Sequence, residues 1–163
     1  MERYGNSEGQ PFKSVSANIK PQRTRSANYR CLYRIAARKN HIEIPRDTKI
    51  GAGLYIGHPF CITINPRAII GRNCNIHKGV TIGQENRGTR QGAPVIGDCV
   101  WIGVNATIVG KITIGDDVLI APNSYVNCDV PAHSVVFGNP CIIKHRDNAT
   151  EDYINRKCHC DAD

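Results

Sequence analysis

The sequence PVIGDCVWIGVNATIVGKITIGDDVLIAPNSYV spans residues 94–126 and decides the fold. Within it an isoleucine or valine recurs every six residues, and these anchors are Ile96, Ile102, Ile108, Ile114, Ile120 and Val126. The same spacing occurs earlier in the chain, at Ile50, Ile56 and Ile62 and, after a two-residue shift of frame, at Ile64, Ile70, Ile76 and Ile82. A longer insertion over residues 84–94 separates this earlier block from the quoted stretch.

A period of six matches neither the 3.6-residue repeat of an α-helix nor the two-residue alternation of an ordinary β-strand. It is expected for a coil of short strands and turns that stacks on itself, with each anchor pointing inward and a following glycine that permits a tight turn. Three six-residue faces close one triangular coil, so residues 50–130 hold roughly four to five coils. A β-sandwich is the alternative, but its strands need no fixed six-residue period.

The composition favours one domain with an aliphatic core. The 163 residues are 40% hydrophobic but only 6% aromatic, and the net charge is +7. No run of about 18 apolar residues is present, so the sequence predicts no membrane-spanning segment. The polar N-terminus lacks the apolar region of a secretory signal, so we predict a cytoplasmic protein whose cysteines are reduced.

The hexads, with glycine after the anchor and a small residue further on, resemble those of the hexapeptide-repeat acyltransferases, which fold as left-handed parallel β-helices. Within that superfamily, residues 43–144 are similar to the serine acetyltransferases and to relatives that O-acetylate surface polysaccharides. Four stretches carry the resemblance: GLYIGH at 53–58, GVTIG at 79–83, PVIGDCVWIG at 94–103 and VFGNPCIIK at 136–144. The resemblance implies an all-β fold and acetyl transfer from acetyl-CoA to a hydroxyl group.

Three segments are expected in such a chain. Residues 1–45 are predicted to form an N-terminal arm with one short amphipathic helix over residues 29–40. Residues 46–140 are predicted to form the β-helix, with a projecting loop over residues 84–94, and residues 141–163 a C-terminal tail. The loop has no helix or strand signal, and long irregular loops in compact domains are usually functional.

O-acetyl transfer requires a base with a pKa near neutrality to take the proton of the acceptor hydroxyl, and histidine is the natural candidate. The resemblance implies that His58, two residues after the anchor Ile56, is this base and that Glu43, fifteen residues earlier, orients it. His77 is the alternative base and a candidate substrate contact. No cysteine is placed to carry the acetyl group, so direct transfer in a ternary complex is expected.

The resemblance also implies a groove in which the pantetheine arm of acetyl-CoA lies between adjacent coils. The matching positions are small or compact residues, namely Gly83, Gly103, Val104, Ala121 and Pro122. Lys144, just past the last coil, is a candidate for the CoA phosphates, although a solvated basic tail explains it equally well. Arg87 and Arg90 in the projecting loop are candidates for contacts with a CoA phosphate or an acidic acceptor, in this subunit or a neighbouring one.

The expected acceptor follows from departures from the serine acetyltransferase pattern. Those enzymes carry an arginine and a histidine where this chain has Gly92 and Ala93, and an aspartate where it has Gly57. Because the charges that recognise an amino acid are absent at these positions, we predict a neutral hydroxylated acceptor, a sugar or saccharide. L-Serine is the alternative acceptor, and a non-catalytic β-helix scaffold is the alternative function.

The expected partners follow from the resemblance and the composition. Relatives are trimers with sites between subunits, so a homotrimer is implied. A metal is not expected, because Cys158, His159 and Cys160 have no second pair of ligands nearby. The basic N-terminal arm lacks a pattern of stacking aromatic residues, so no nucleic-acid partner is expected, while peripheral contact with an acidic membrane surface is left open.

Overall fold

Short strands follow one another through the part of the chain that this computed structural model describes, which is residue 35 and residues 37–158. The strands are β1 (Ile42–Glu43), β2 (Lys49–Ile50), β3 (Tyr55–Gly57), β4 (Ile62–Ile64), β5 (Ile69–Ile70), β6 (Asn75–His77), β7 (Thr81–Gly83), β8 (Val95–Ile96), β9 (Trp101–Ile102), β10 (Thr107–Val109), β11 (Thr113–Ile114), β12 (Val118–Ile120), β13 (Tyr125–Val126), β14 (Ser134–Phe137) and β15 (Ile142–His145). Ile35 and residues 37–39 are helical. Residues 1–34 and 36 of the predicted N-terminal arm, which include most of the predicted helix over 29–40, and His159 and Cys160 lie outside the described residues. Residues 42–43 of the same segment form β1 and pair with β4.

The strands form three sheets in which neighbouring strands come from successive coils. The first sheet has the order β1-β4-β7-β10-β13, the second β11-β8-β5-β2 and the third β15-β14-β12-β9-β6-β3. The pairs are parallel apart from β14 with β15, which is antiparallel. This return of the chain to the same sheet once per coil confirms the predicted all-β fold, a left-handed parallel β-helix of hexapeptide repeats.

The six-residue anchors fill the interior of the prism. Each of the following is at most 2% exposed: Ile64, Ile70, Ile76, Ile82, Ile96, Ile102, Ile108, Ile114, Ile120 and Val126. They stack in register from coil to coil, as Ile70 does on Ile96 and Ile96 on Ile114. Because burying an aliphatic side chain of this size contributes roughly 1.5–3 kcal/mol, these ladders replace the aromatic core that the composition lacks.

The frame shift in the repeat lies at a corner of the first coil. Ile62 pairs with Ile42, whereas Ile64 pairs with Ile82. Ile64 is therefore the anchor, and the interpretation of Ile62 as an anchor is wrong: it takes the inward position two residues before the anchor. The two extra residues consequently lie before Ile62, in the corner formed by residues 58–61, which is longer than the equivalent corners of later coils.

After β15 the chain turns back along the outside of the third sheet. This tail, residues 148–158, is hydrogen-bonded to side chains of three positions in the coils, which are Asp117, Asn75 and Asn73. Asp117 lies just before β12, Asn75 begins β6, and Asn73 lies two residues before that strand. The tail therefore runs back towards the first coils.

The described cysteines differ in their bonding. Cys61, Cys74, Cys99, Cys128 and Cys141 are free thiols. Cys158 is disulfide-bonded, which departs from the prediction that the cysteines are reduced. In residue 35 and residues 37–158, no helix has the length and hydrophobicity needed to cross a bilayer.

Candidate active site

One edge of the prism carries several of the predicted site residues. Here each strand of the third sheet ends and the chain turns into the first sheet, so we call this edge the third-to-first edge. Its successive corners are residues 58–61, 77–79, 103–105 and 121–123. Backbone hydrogen bonds connect one corner to the next: Gly79 N–H to Phe60 O at 3.0 Å, Asn105 N–H to Lys78 O at 3.0 Å, and Asn123 N–H to Val104 O at 2.9 Å. The corners therefore form a continuous column along the prism.

His58 lies at the first of these corners, directly after β3. Its side chain is exposed, and its backbone φ of 53° is matched by 54° at Cys61. Non-glycine residues adopt this left-handed conformation sparingly, mainly where the chain turns sharply. The two positive φ angles bound the lengthened corner, and the His58 imidazole at its start is open to solvent.

Glu43 belongs to β1 in the first sheet and is exposed. Its neighbour across the strands is Thr63, which follows the corner of His58. Within residues 37–158 no hydrogen bond joins the Glu43 carboxylate to the His58 imidazole, so the orienting contact stays a prediction. Glu43 instead lines a cavity of about 670 Å³, together with Thr63 and Cys61.

His77, the alternative base, lies in a crowded position. It pairs with Gly57 in the third sheet, and a Cβ added to Gly57 would lie 2.6 Å from the His77 Nδ1 atom. Its ring centroid is 4.7 Å from that of Trp101, and its Nε2 atom is shielded from water and has no hydrogen-bond partner among the described residues. Burial, followed by the nearby charge of His58, lowers the pKa of His77. A shielded imidazole is poorly placed to take a proton from a substrate.

The column beyond His58 presents the compact residues predicted for the acetyl-CoA groove. Gly103 and Ala121 begin successive corners. Gly103 is buried, but its neighbour Val104 is half-buried. Ala121 is also half-buried, and Pro122 is exposed. A Cβ at Gly103 would lie 2.6 Å from the backbone nitrogen of Pro122. Gly103 is therefore needed for close contact between coils, and the surface open to a ligand is formed by Val104, Ala121 and Pro122.

Lys144 lies far from His58 along the third sheet. It belongs to β15, and five strand spacings separate β15 from β3 in the sheet order. At about 4.8 Å for each spacing, the separation is roughly 24 Å. The side chain is exposed, with Nζ 5.8 Å from the centroid of the Phe137 ring. An extended ligand is needed to contact both Lys144 and His58.

Gly83, Arg87 and Arg90 lie at another edge of the prism, where the first sheet leads into the second. The projecting loop contains no helix or strand, and backbone hydrogen bonds of 2.9 and 3.0 Å between Glu85 and Gly92 close it into a hairpin-like turn. Arg90 is held by this loop, with its Nε atom 3.2 Å from Oε2 of Glu85, whereas Arg87 is exposed. A single chain does not bring these residues to the third-to-first edge.

Three of the free thiols are hindered from ionising by burial. Burial raises the pKa of Cys74 to about 12, and burial also raises the pKa values of Cys99 and Cys128. These thiols are poor nucleophiles near neutral pH. Cys61 is exposed at the corner of His58, a proximity that the sequence analysis did not use.

The cavity beside Glu43 was not anticipated from the sequence. Arg38 lines it, whereas the sequence pattern predicted only an amphipathic helix for this segment. The only available signal was the short distance along the chain between this arginine and Glu43. Among residue 35 and residues 37–158, no three His, Cys, Asp or Glu side chains are grouped so that they could hold a metal ion.

Similarities to known proteins agree with this geometry. Residues 93–128 match the family model described as bacterial transferase hexapeptide (six repeats). The chain is 39% identical to serine acetyltransferase 2 of Arabidopsis thaliana over 61% of its own length and 31% of that relative. It is 36% identical to the serine acetyltransferase of Helicobacter pylori over 68% of its own length and 64% of that relative.

A solved structure shares the same fold. The serine acetyltransferase of Brucella abortus in complex with coenzyme A matches 62% of this chain and 40% of its own, with 31% identity and a TM-score of 0.58. The chain spans about a third to two thirds of the length of the relatives that it matches. Residues 93–128 therefore carry hexapeptide repeats of the bacterial transferase type, and the chain is similar in sequence and fold to serine acetyltransferases.

Proposed function

We propose that the chain is an acetyl-CoA-dependent O-acetyltransferase in which His58 is the general base. The observation that carries this proposal is the exposed imidazole of His58 at the first corner of a column whose later corners present Ala121 and Pro122. Homology to serine acetyltransferases supports the reaction, and the coenzyme A complex of the Brucella abortus protein supports the co-substrate.

His58 takes the proton of the acceptor hydroxyl while the hydroxyl oxygen bonds to the carbonyl carbon of the thioester. Backbone N–H groups at the corners are suited to stabilise the negative charge on the resulting tetrahedral species. As that species collapses, the carbon–sulfur bond breaks and His58 returns the proton to the departing sulfur. In this proposal Glu43 orients the imidazole, and no covalent acetyl-enzyme forms.

The homologues favour L-serine as the acceptor over the saccharide predicted from the sequence, since the curated relatives reported above are serine acetyltransferases. One observation keeps a saccharide as the second candidate. Gly57 has no room for the aspartate of the serine acetyltransferase pattern, because a Cβ there would lie 2.6 Å from His77. Gly92 and Ala93 likewise supply no charge for an amino-acid carboxylate.

A homotrimer with sites between subunits is part of the proposal. Gly83 and Arg87 lie at a different edge from His58, so a neighbouring subunit is needed to bring the projecting loop to the column. Lys144 is then the candidate contact for the CoA phosphates at the far end. The cytoplasmic location and the peripheral membrane contact stay predictions.

The substitution His58→Ala tests the base. Removing a general base should lower kcat by roughly 10²–10⁴-fold, while binding of CoA measured by calorimetry should stay unchanged. Thiol release from acetyl-CoA is the assay, with L-serine and a panel of simple and nucleotide-linked sugars as acceptors. His145→Ala is the matched control, because His145 is exposed and its Nε2 atom lies 3.3 Å from Oδ1 of the exposed Asp147.

An enzyme that keeps its activity without His58 but loses it after His77→Ala would show that the base is misassigned. A chain that binds no CoA would instead be a scaffold. Cys61→Ser separates direct transfer from a covalent route, and the proposal expects this variant to remain active. Loss of activity in Cys61→Ser with trapped acetyl on the wild-type thiol would contradict direct transfer.

A further inference from the structure

A cavity opens beside the corner that carries His58. Its volume is about 670 Å³, within the range of roughly 300–1,000 Å³ that is usual for small-molecule sites. It is lined by residues from the helical stretch, from β1 and from the end of the lengthened corner: Ala37, Arg38, His41, Ile42, Glu43, Cys61 and Thr63. Cys61 belongs to the corner that carries His58, and β1 pairs with β4 on the side away from β7, so the cavity lies near this corner at the N-terminal end of the column.

The lining contains charges of both signs. Arg38 has a permanently charged guanidinium and forms no ion pair with any residue between 37 and 158. Glu43 contributes a carboxylate from the adjacent strand, and Thr63 contributes a hydroxyl. An arginine without a carboxylate partner, facing a cavity of ligand size, is suited to bind a planar anionic group through two parallel hydrogen bonds.

We propose that this cavity is the acceptor site and that Arg38 binds an anionic group of the acceptor. This inference rests on the proposed function and departs from the neutral acceptor predicted from the sequence. The expected acceptor is a hydroxyl compound that carries a carboxylate. Both L-serine and an acidic sugar meet this description. Arg38 supplies the positive charge that Gly92 and Ala93 do not.

Arg38→Gln is the test. Loss of a hydrogen-bonded charge pair should raise KM for the acidic acceptor by about 10- to 100-fold and leave KM for acetyl-CoA unchanged. Arg38→Lys should recover part of the loss because it keeps the charge. Lys39→Gln is the matched control, since Lys39 follows in the same helical stretch but does not line the cavity.

Comparing acceptors with and without a carboxylate identifies the group that Arg38 binds. Serinamide and a neutral sugar lack the carboxylate, so Arg38→Gln should not change their KM values, whereas L-serine or glucuronic acid should show the full effect. The proposal is overturned if Arg38→Gln leaves the KM of every acidic acceptor unchanged, or if the neutral sugar is the best acceptor of the wild type.

If the chain has no transferase activity, the proposed function is wrong. The proposal for the cavity is then tested by measuring acceptor binding alone. Calorimetric titration of the wild type and Arg38→Gln with L-serine and with glucuronic acid is the measurement. Binding to the wild type that is weakened about tenfold or more in Arg38→Gln supports the site. Equal binding to both chains, or none to either, overturns it.

Discussion

Asp117 is the residue that fastens the C-terminal tail to the prism, and its removal should release the tail. Its carboxylate accepts hydrogen bonds from the backbone N–H groups of Ala149 and Thr150, both at 3.0 Å, and from the Thr150 hydroxyl at 2.7 Å. The Nδ1 atom of His133 lies 2.9 Å away. Partial burial opposes ionisation, but the bonds from Thr150 and His133 outweigh it and lower the pKa of Asp117.

The size of the effect follows from the donors that lose their partner. Ala149 and Thr150 are each 4% exposed, so Asp117→Ala leaves two buried N–H groups unsatisfied. Each unsatisfied donor costs about 1–3 kcal/mol, and the two are not fully additive, so we expect tail docking to weaken by roughly 2–4 kcal/mol. Because the core cluster formed by the coil anchors does not include the buried tail residues Ala149 and Ile154, we expect this opening to be local rather than global.

The single tryptophan provides the assay. Trp101 packs against Tyr153 of the tail, with ring centroids 5.0 Å apart. In Asp117→Ala the Trp101 emission should shift to longer wavelength as water replaces Tyr153, and hydrogen exchange at Thr150 and Ile154 should accelerate by roughly 30- to 1,000-fold. The far-ultraviolet circular dichroism of the coils should stay unchanged.

Asp147→Ala is the matched control, because it removes the same charge from a side chain that is 84% exposed. It should leave both the Trp101 emission and the exchange rates as in the wild type. If Asp117→Ala also leaves them unchanged, then the contacts of Asn73 and Asn75 hold the tail without Asp117, and the reasoning about buried donors is refuted.

Three further perturbations test the coils. Gly103→Ala should destabilise the fold by roughly 1–3 kcal/mol and weaken CoA binding, because its Cβ would lie 2.6 Å from Pro122 N; an unchanged melting temperature and Kd would contradict this. Ile76→Ala should cost about 2–5 kcal/mol in urea unfolding, since Ile76 is fully buried, and a loss below about 1 kcal/mol would show that the ladder repacks. A backbone hydrogen bond from Arg72, together with its guanidinium, lowers the pKa of Asp98. This stabilisation is complete above about pH 4 and is lost as pH falls through the lowered pKa, so the melting temperature should decline in acid less steeply in Asp98→Asn than in the wild type.

The coil could be predicted from the sequence because its cause is local. Each hexad buries its own anchor and stacks on the next coil, so the period alone indicates the interior. The exact frame of the first coil could not be read, because positions two residues apart both point inward. Ile62 and Ile64 satisfy that pattern equally well, and only the strand pairing shows which one is the anchor.

The candidate site could be predicted only in part. His58, Gly103 and Ala121 follow anchors of the same sheet, so they share an edge, whereas Gly83 follows an anchor of the first sheet and lies at another edge. Hexads three apart along the chain share a face of the prism once the two insertions are allowed for. The different edge of Gly83 could therefore have been predicted from the sequence. The contact of Asp117 with the tail joins residues 32 and 33 positions apart and has no periodic signal.

The antiparallel strand β15 also limits the addition of further coils to the prism. A parallel coil ends in a row of free backbone groups, on which a strand from another molecule can be added. In the third sheet β15 covers this row in the antiparallel sense, and its outer border carries Lys144 and His145 instead of another hexad. Addition of a further parallel coil from a second chain is therefore disfavoured at this end, which protects a self-templating architecture against growth into fibres.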